Sequence, residues 1–183
     1  MGRTLKSKVS VRKLQQQGLA GKTEPGRELC FLLQDWEDAY NVGGMYRVAD
    51  GCGATELVMT GRTPVPPNPM IGVTSLGQHR RIPHRHFKAH DEAARALVSE
   101  GWTLVAVELA SDAVDFQDFD YPLRTCLVLG NEGAGVYSSV MKHVSHCVFI
   151  PMLGKGRSLN VHVAAAIVGY QAALHRRSRS PSE

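Results

Sequence analysis

The chain has 183 residues, of which 43% are hydrophobic and 21% are charged, and its 21 Lys and Arg against 17 Asp and Glu give a formal net charge of +4. A chain of this length forms one domain with its own core, and this composition excludes a disordered or low-complexity protein. No stretch approaches the roughly 18 consecutive apolar residues that span a bilayer, and the first residues lack the apolar segment of a signal peptide. We therefore expect a cytoplasmic protein that has no membrane contact.

The small net charge hides an uneven distribution. Residues 1–27 carry seven Lys or Arg and one acid, and residues 79–90 carry four basic residues and no acid. Residues 142–157 add three basic residues, whereas residues 91–132 hold nine acids against two basic residues. Basic segments on an acidic body are typical of a protein that binds a phosphate backbone. The alternative is a set of solvated tails, and we favour that alternative for residues 176–183.

The predicted elements begin with a basic N-terminal extension over residues 1–27, in which residues 4–17 have the apolar spacing of a short amphipathic helix. From residue 28 onward, short apolar runs alternate with helical patterns. The Pro-rich segment 64–69 excludes a helix or a central strand at that point. The predicted strands are 29–33, 56–60, 103–109, 125–129 and 147–150, and the predicted helices are 42–52, 91–99 and 159–174.

This alternation of strands and helices predicts an α/β fold. Its sheet is mostly parallel and has helices on both faces, because a parallel strand is linked to the next one by a crossover, usually a helix. We expect one domain over residues 28–175, followed by a basic flexible tail over residues 176–183.

The cysteines and the histidines of segment 78–90 could in principle bind a metal, but their spacing favours other roles for both groups. The four cysteines contain no Cys-x-x-Cys pair, so we expect reduced, buried side chains. The segment 78–90 contains four histidines, but their spacing matches no common zinc pattern. Its four basic residues favour an RNA-contacting loop, with a solvated loop as the alternative, and we expect no metal site. The cysteines are Cys30, Cys52, Cys126 and Cys147.

Two unusual segments follow predicted strands. Gly130-Asn-Glu-Gly-Ala-Gly135 comes after strand 125–129, and Pro151-Met-Leu-Gly-Lys-Gly-Arg-Ser-Leu-Asn160 comes after strand 147–150. Ligands of open α/β sheets bind beyond the carboxyl ends of the strands, and closely spaced glycines let the backbone approach a ligand. The glycine spacing matches neither a dinucleotide-binding fingerprint nor a P-loop. Alone, these segments predict a small ligand that is held by backbone groups.

A third segment, Asn41-Val-Gly-Gly-Met-Tyr-Arg47, precedes these two in the chain. Together with Leu127–Val136 and Ile150–Val161, it closely resembles the three motifs of the SpoU/TrmH family of RNA ribose 2′-O-methyltransferases. The resemblance covers about residues 29–172. It implies a SPOUT-like fold with a C-terminal trefoil knot, bent S-adenosylmethionine as the cofactor, and a homodimer that is formed through the knot region.

The resemblance also implies the roles of single residues. Backbone groups around the two glycine-containing segments hold the cofactor, and the Arg of one subunit meets the cofactor site of the other. Apart from the resemblance, the charge distribution favours RNA contact by basic residues outside the motifs. The cofactor-binding residues are Gly130, Asn131, Ile150, Met152 and Leu159; the catalytic residues are Arg47, Glu132, Ser158 and Asn160; the RNA-binding residues are Arg12, Lys13, Arg80, Arg81 and Arg85.

Some of these residues also have simpler interpretations. From the residues alone, Ser158 and Asn160 are helix caps and Arg47 is a surface ion-pair residue. Within the family, we interpret Arg47 as a clamp on a phosphate and a stabiliser of developing alkoxide, because an arginine guanidinium is not deprotonated in proteins. His162 stands where many family members have Ser, and we interpret it as an interface or core histidine.

The leading hypothesis is an S-adenosylmethionine-dependent RNA 2′-O-ribose methyltransferase. We favour tRNA as its substrate, because only some 28 residues precede the first strand, whereas rRNA enzymes of the family often carry a larger N-terminal domain. The pair Gly43-Gly44, together with the run Ser-Leu-Asn-Val-His-Val over residues 158–163, resembles the corresponding segments of enzymes that methylate a D-loop guanosine. The alternatives are an rRNA 2′-O-methyltransferase, a non-catalytic knot-fold RNA-binding protein and a phosphate-binding metabolic enzyme.

Overall fold

The computed structural model describes residues 8–19 and 23–175. Strands and helices alternate through most of this length, and a short 3-10 turn covers Gln78–Arg80. The strands are β1 (Glu28–Gln34), β2 (Glu56–Thr60), β3 (His84–Phe87), β4 (Thr103–Val107), β5 (Val114–Asp115), β6 (Arg124–Leu129) and β7 (His146–Phe149). The helices are α1 (Lys8–Leu19), α2 (Ala39–Cys52), α3 (Pro69–Ser75), α4 (His90–Ser99), α5 (Ser138–Met141) and α6 (Val161–Leu174).

All seven strands belong to one sheet, in the order β3-β2-β1-β6-β4-β7-β5. Every pairing in this sheet is parallel. β6 enters the centre of the sheet between β1 and β4, so its neighbours in space are not its neighbours in the chain. The carboxyl ends of β4, β6 and β7 consequently lie side by side at one edge of the sheet.

Alternate residues of the central strands fill two separate cores. On β1, Phe31 and Leu33 belong to the core beneath α2 and α6, whereas Cys30 and Leu32 belong to the core beneath α4. All four side chains are fully buried, and each such Leu or Phe contributes about 1.5–3 kcal/mol to folding. The prediction of a mostly parallel sheet with helices on both faces is confirmed.

The two helices that matter most for function have clear ends. α2 begins after Asp38, whose carboxylate accepts a hydrogen bond from the Tyr40 amide, and it ends at Gly53 in a left-handed conformation. α6 begins after Asn160, whose Oδ1 accepts a hydrogen bond from the His162 amide. The prediction of Asn160 as a cap is confirmed and that of Ser158 is wrong.

Several elements differ from the sequence predictions. The segment 78–90 is not an open loop, because it contains a 3-10 turn and β3, which pairs in parallel with β2. β3 lies at the edge of the sheet and is half exposed, so it lacks the apolar run that identified the inner strands. The short elements α3, α5 and β5 were not predicted either.

Other expectations concern the ends of the chain and the cysteines. A helix was predicted over residues 4–17, and the structure describes α1 over Lys8–Leu19. Residues 4–7 and the predicted tail over 176–183 lie outside the described residues. The four cysteines are buried, as predicted, and all are free. Of the helices that the structure describes, none has the length and apolar character needed to cross a membrane.

Candidate active site

A cleft of about 960 Å³ opens at the carboxyl ends of β4, β6 and β7. Its walls are the segments that follow these three strands and the first turns of α6. Eight of the nine residues predicted to be catalytic or cofactor-binding line this cleft, and Arg47 does not. The eight residues are Gly130, Asn131, Glu132, Ile150, Met152, Ser158, Leu159 and Asn160.

The glycine loop, residues 130–135, forms a tight turn at the end of β6. The amides and carbonyls of Asn131 and Gly135 bond to each other at 3.1 and 2.9 Å, and Gly135 has a φ of +67°. A Cβ on Gly130 would collide with the Gly135 backbone. The Asn131 side chain stiffens the turn by accepting from the amides of Gly133 and Ala134 at 2.9 and 3.1 Å. The loop therefore presents backbone to the cleft and tolerates no side chain at Gly130.

Gln34, the last residue of β1, clamps the end of this loop. Its Nε2 donates to the Gly135 carbonyl at 3.1 Å, and its Oε1 accepts from the Tyr137 amide at 2.9 Å. The side chain is fully buried. We did not single out Gln34 from the sequence, although a polar residue at the carboxyl end of an apolar strand was the available signal.

Asp35 supports the same loop from the next position, and its φ of +55° is unusual for a residue other than glycine. Its carboxylate accepts from the Arg62 amide at 2.7 Å, the Arg62 side chain at 3.2 Å and the Tyr137 hydroxyl at 2.9 Å. Burial alone would raise the pKa of Asp35, but these hydrogen bonds outweigh it and lower the pKa from 3.8 to about 2. The carboxylate is therefore ionised at neutral pH. The Asp35 carbonyl also accepts from Asn131 Nδ2 at 2.7 Å.

Glu108 lines the cleft and was also missed by sequence reasoning. It directly follows β4, whereas the predicted strand extended to Leu109. Its Oε2 accepts from the Val136 amide at 3.1 Å and its Oε1 from the Leu109 amide at 3.0 Å. Because Glu132 also lines the cleft, two carboxylates lie on its wall.

Asn41 joins the cleft to α2 and α6. Its Nδ2 donates to Glu132 Oε1 at 2.6 Å. Its Oδ1 accepts from Asn160 Nδ2 at 3.1 Å and lies 3.1 Å from His162 Nδ1. Asn41 belongs to the first motif but was not predicted as a site residue, and it is buried. One amide thus connects two of the predicted catalytic residues, Glu132 and Asn160.

Arg47 lies on α2, six residues after Asn41, and is exposed. Among the residues that the structure describes, it has neither a hydrogen bond nor an ion pair, so the interpretation as a surface ion-pair residue finds no partner here. Within the described part of the chain, nothing occupies its guanidinium, which is exposed to groups from outside the chain. It does not belong to the cleft of its own chain.

The residues predicted to contact RNA are spread over three elements. Lys13 on α1 and Arg80 on the 3-10 turn are exposed, and the Arg12 side chain lies outside the described part of the chain. Arg81 forms an ion pair with Asp50 at 3.2 Å. Arg85 on β3 lies 2.7 Å from both Glu56 and Glu100, so two protein carboxylates already neutralise its charge. RNA contact by these residues stays a prediction.

The histidine-rich segment 78–90 does not gather a set of ligands. His79 Nδ1 bonds to Ser75 Oγ, and His90 Nδ1 bonds to Thr60 Oγ1 at 2.8 Å. Over residues 8–19 and 23–175, no three His, Cys, Asp or Glu side chains come together in a group that could hold a metal ion.

Comparisons with known proteins identify the family. Residues 28–170 match the model of the SpoU rRNA Methylase family. A tRNA (guanosine(18)-2′-O)-methyltransferase of Thermus thermophilus is 33% identical over 149 residues, which cover 81% of this chain and 76% of that enzyme.

Two solved structures resemble this fold and contain S-adenosylmethionine (AdoMet). The AdoMet-bound rRNA methyltransferase from Sinorhizobium meliloti has a TM-score of 0.76 and 28% identity over 82% of this chain and 57% of that one. The SpoU methyltransferase AviRb from Streptomyces viridochromogenes, in complex with AdoMet, has a TM-score of 0.73 and 28% identity over 80% of this chain and 59% of that one. The chain thus spans less than two thirds of either solved chain. The resemblance drawn from the three motifs is confirmed, and the chain belongs to the SpoU methylase family.

Proposed function

We propose that the protein is an S-adenosylmethionine-dependent RNA 2′-O-ribose methyltransferase that acts on tRNA, at a guanosine of the D-loop. The observation that carries this proposal is the cleft, which brings together eight of the nine residues that the family motifs implicate. The name of the Thermus relative, with 76% of its length matched, supports tRNA and a guanosine as the substrate.

The cleft suits the proposed cofactor. Its volume of about 960 Å³ lies at the upper end of the range for small-molecule sites. Gly130 and Gly135 keep side chains out of the loop, so backbone groups can approach the ligand closely. When bound, the cofactor supplies an electrophilic methyl group on a positively charged sulfur. Glu108 and Glu132 place negative charge on the cleft wall, which favours a cation there.

The chain's own residues position the acceptor. Arg47, which is exposed and has no partner among the described residues, binds the phosphate beside the reacting ribose and stabilises the developing alkoxide. Asn41 holds Glu132 and Asn160 in fixed positions at the cleft. Alignment of the ribose oxygen with the methyl donor accounts for much of the rate enhancement in such a displacement.

We further infer a homodimer in which Arg47 of one subunit serves the cleft of the other. This is supported by the absence of Arg47 from the lining of its own cleft. Residues 151–160, which follow β7 and contribute to the cleft lining, are all exposed. A second copy could cover this surface.

The domain limits and the trefoil knot are part of the same proposal. We assign residues 28–175 to one knotted catalytic domain, with the basic segments 1–27 and 176–183 outside it. The order β1-β6-β4-β7 and the return of the chain to α6, which packs against α2 and β1, support the threading. A crystal structure in which the chain is traced through residues 124–174 tests whether the knot is present. Because the proposed substrate is tRNA, we also propose that the protein is located in the cytoplasm.

The test uses the full chain, labelled S-adenosylmethionine and two tRNA transcripts that differ only in a 2′-deoxy substitution at the D-loop guanosine. We expect label on the ribose of the unmodified transcript and none on the deoxy transcript. Ribosomal RNA serves as the competing substrate, since the Sinorhizobium structure is of an rRNA methyltransferase.

The outcomes separate the alternatives. Label on rRNA alone overturns the tRNA assignment and retains the reaction. Cofactor binding without methylation of either RNA supports a non-catalytic RNA-binding protein. The absence of cofactor binding, measured by calorimetry, contradicts the proposal as a whole.

A further inference from the structure

His162 occupies a notch on the surface of α2. It lies in the first turn of α6, and its ring packs over Gly44. A Cβ on Gly44 would lie 3.1 Å from Cδ2, 3.2 Å from Nε2 and 3.3 Å from Cγ of this ring. These distances are tighter than ordinary contacts, so a side chain at residue 44 would require the imidazole to shift by a few tenths of an ångström. The sequence suggested only a core or interface role for His162.

The neighbouring amide determines which ring nitrogen carries a proton. Asn41 Nδ2 donates to Glu132 Oε1 at 2.6 Å. An ionised carboxylate has no proton to donate, so it can act only as an acceptor in this hydrogen bond. The Asn41 Oδ1 therefore faces α6, where it is 3.1 Å from His162 Nδ1. Because Oδ1 can only accept, Nδ1 must carry the proton, and in the neutral ring Nε2 holds the lone pair.

Burial and the neighbouring carboxylates have opposite effects on the protonation of His162. Burial lowers the pKa of His162, while the carboxylates of Glu132 on the glycine loop and Asp38 at the start of α2 partly oppose that shift. The ring is therefore mostly neutral at pH 7.5. The Nδ1–H bond to Asn41 is present in both the neutral and the protonated ring.

We propose that His162 and Gly44 act together as a positioning device for the methyl-transfer site. The Nδ1–H of His162 fixes the Asn41 amide, and Asn41 in turn holds Glu132 at the cleft wall. Gly44 leaves the space in which the imidazole lies. Three elements, α2, α6 and the glycine loop, thus keep one relative position through a single amide. The proposal rests on the methyltransferase function proposed above.

The first experiment compares three substitutions of His162 in the full chain. The side-chain amide of Asn places a donor near the position of Nδ1, whereas that of Gln places it near Nε2. We expect His162→Ala and His162→Gln to lower kcat for tRNA methylation by about 10-fold, the loss of one hydrogen bond, with little change in the KM for tRNA. His162→Asn should restore kcat to within about 2-fold of wild type.

A matched control lies at the other end of the same helix. His175 bonds to Asp120 at 2.7 Å and does not line the cleft. His175→Ala should leave kcat unchanged even if it lowers the melting temperature. Wild-type kcat in His162→Ala, or failure of Asn to restore activity where Gln does, overturns the proposal.

A double-mutant cycle tests the pairing with Gly44. Gly44→Ala adds a Cβ against the ring, and we expect the shifted imidazole to lower kcat by less than His162→Ala does. In the His162→Ala background the added methyl group has no ring to displace, so Gly44→Ala should then cause little further loss. Additive losses contradict the pairing.

Nitrogen NMR of ¹⁵N-histidine-labelled protein separates this proposal from the proposed function. We expect His162 to show a protonated Nδ1 and an unprotonated Nε2 at pH 7.5, whether or not the protein methylates RNA. The His162→Ala spectrum assigns the signal. The Nε2–H tautomer overturns the positioning role, whereas the expected tautomer in a protein that methylates no RNA leaves the Asn41 bond standing and contradicts only the proposed reaction.

Discussion

At the scale of single residues, the position of the glycine loop depends on two polar side chains at the end of β1. Gln34 bonds to the backbone of Gly135 and Tyr137, and Asp35 bonds to the Tyr137 hydroxyl. Neither residue lines the cleft, yet each holds the loop that does. The two side chains differ in one respect, since only Asp35 titrates.

The protonation of Asp35 makes the free energy of unfolding depend on pH. Its pKa is about 2 in the folded protein, below the value of 3.8 in the unfolded chain. The stabilisation is therefore complete above pH 3.8 and is lost as the pH falls through about 2. Asn tolerates a positive φ, so we expect Asp35→Asn to keep the backbone conformation. Between pH 5 and pH 2, wild type should lose about 2 kcal/mol more unfolding free energy than this variant, as measured by urea titration. Equal losses would contradict this role of Asp35.

Gln34 contributes at all pH values. Gln34→Leu keeps the approximate size of the side chain but leaves the Tyr137 amide without its partner and removes one of the two hydrogen bonds to the Gly135 carbonyl. Each unsatisfied buried group costs about 1–3 kcal/mol, so we expect a lower free energy of unfolding and weaker cofactor binding. Calorimetric titration with S-adenosylmethionine measures the second effect. Gln171→Leu, at an exposed amide on α6, is the control and should change neither quantity appreciably.

At the scale of elements, the glycine loop provides a matched pair of substitutions. An added Cβ at Gly130 collides with the Gly135 backbone, whereas one at Gly133 meets its nearest atom at an ordinary 3.5 Å. We expect Gly130→Ala to weaken S-adenosylmethionine binding at least about 10-fold, the effect of about 1.4 kcal/mol of strain, and Gly133→Ala to have little effect. Similar affinities for the two variants would show that close packing within the loop is not required.

The elements also show what the sequence could and could not predict. The inner strands were found because a strand buried on both faces reads as a continuous apolar run, as in Leu29–Leu33. β3 was missed because an edge strand needs no such run. α3 begins at Asn68-Pro69, a combination typical of a helix start, but its seven residues are too few for a clear period. The Gln34 and Asn41 contacts join residues about 100 positions apart, and no local pattern contains them.

At the scale of the whole molecule, the location of Arg47 determines how two subunits would share a site. The residues of the cleft come mainly from the segments that follow β4, β6 and β7 and from the start of α6, and Arg47 comes from α2 outside it. If Arg47 acts across the dimer, a cleft defect in one chain and an Arg47 defect in the other chain fall in the same active site, and the second active site of that dimer is intact.

Mixed dimers test this arrangement. Arg47→Ala and Gly130→Ala should each be nearly inactive as homodimers. After mixing under conditions that exchange subunits, half of the dimers carry one intact site, so we expect roughly a quarter of wild-type activity in a tRNA methylation assay. Homodimers of the double variant are the control. No recovery in the mixture would show that Arg47 acts within its own chain.

The exposure of residues 151–160 has a thermodynamic consequence. Met152, Leu153 and Leu159 present apolar surface to water in the segment that also lines the cleft, and Leu153 is fully exposed. Any ligand or subunit that covers them removes apolar surface from water and lowers the heat capacity of the system. Ligand binding in the cleft and coverage of this segment by a second subunit should therefore both give a negative heat-capacity change in calorimetry. The size of that change measures how much of the segment's apolar surface has been removed from water.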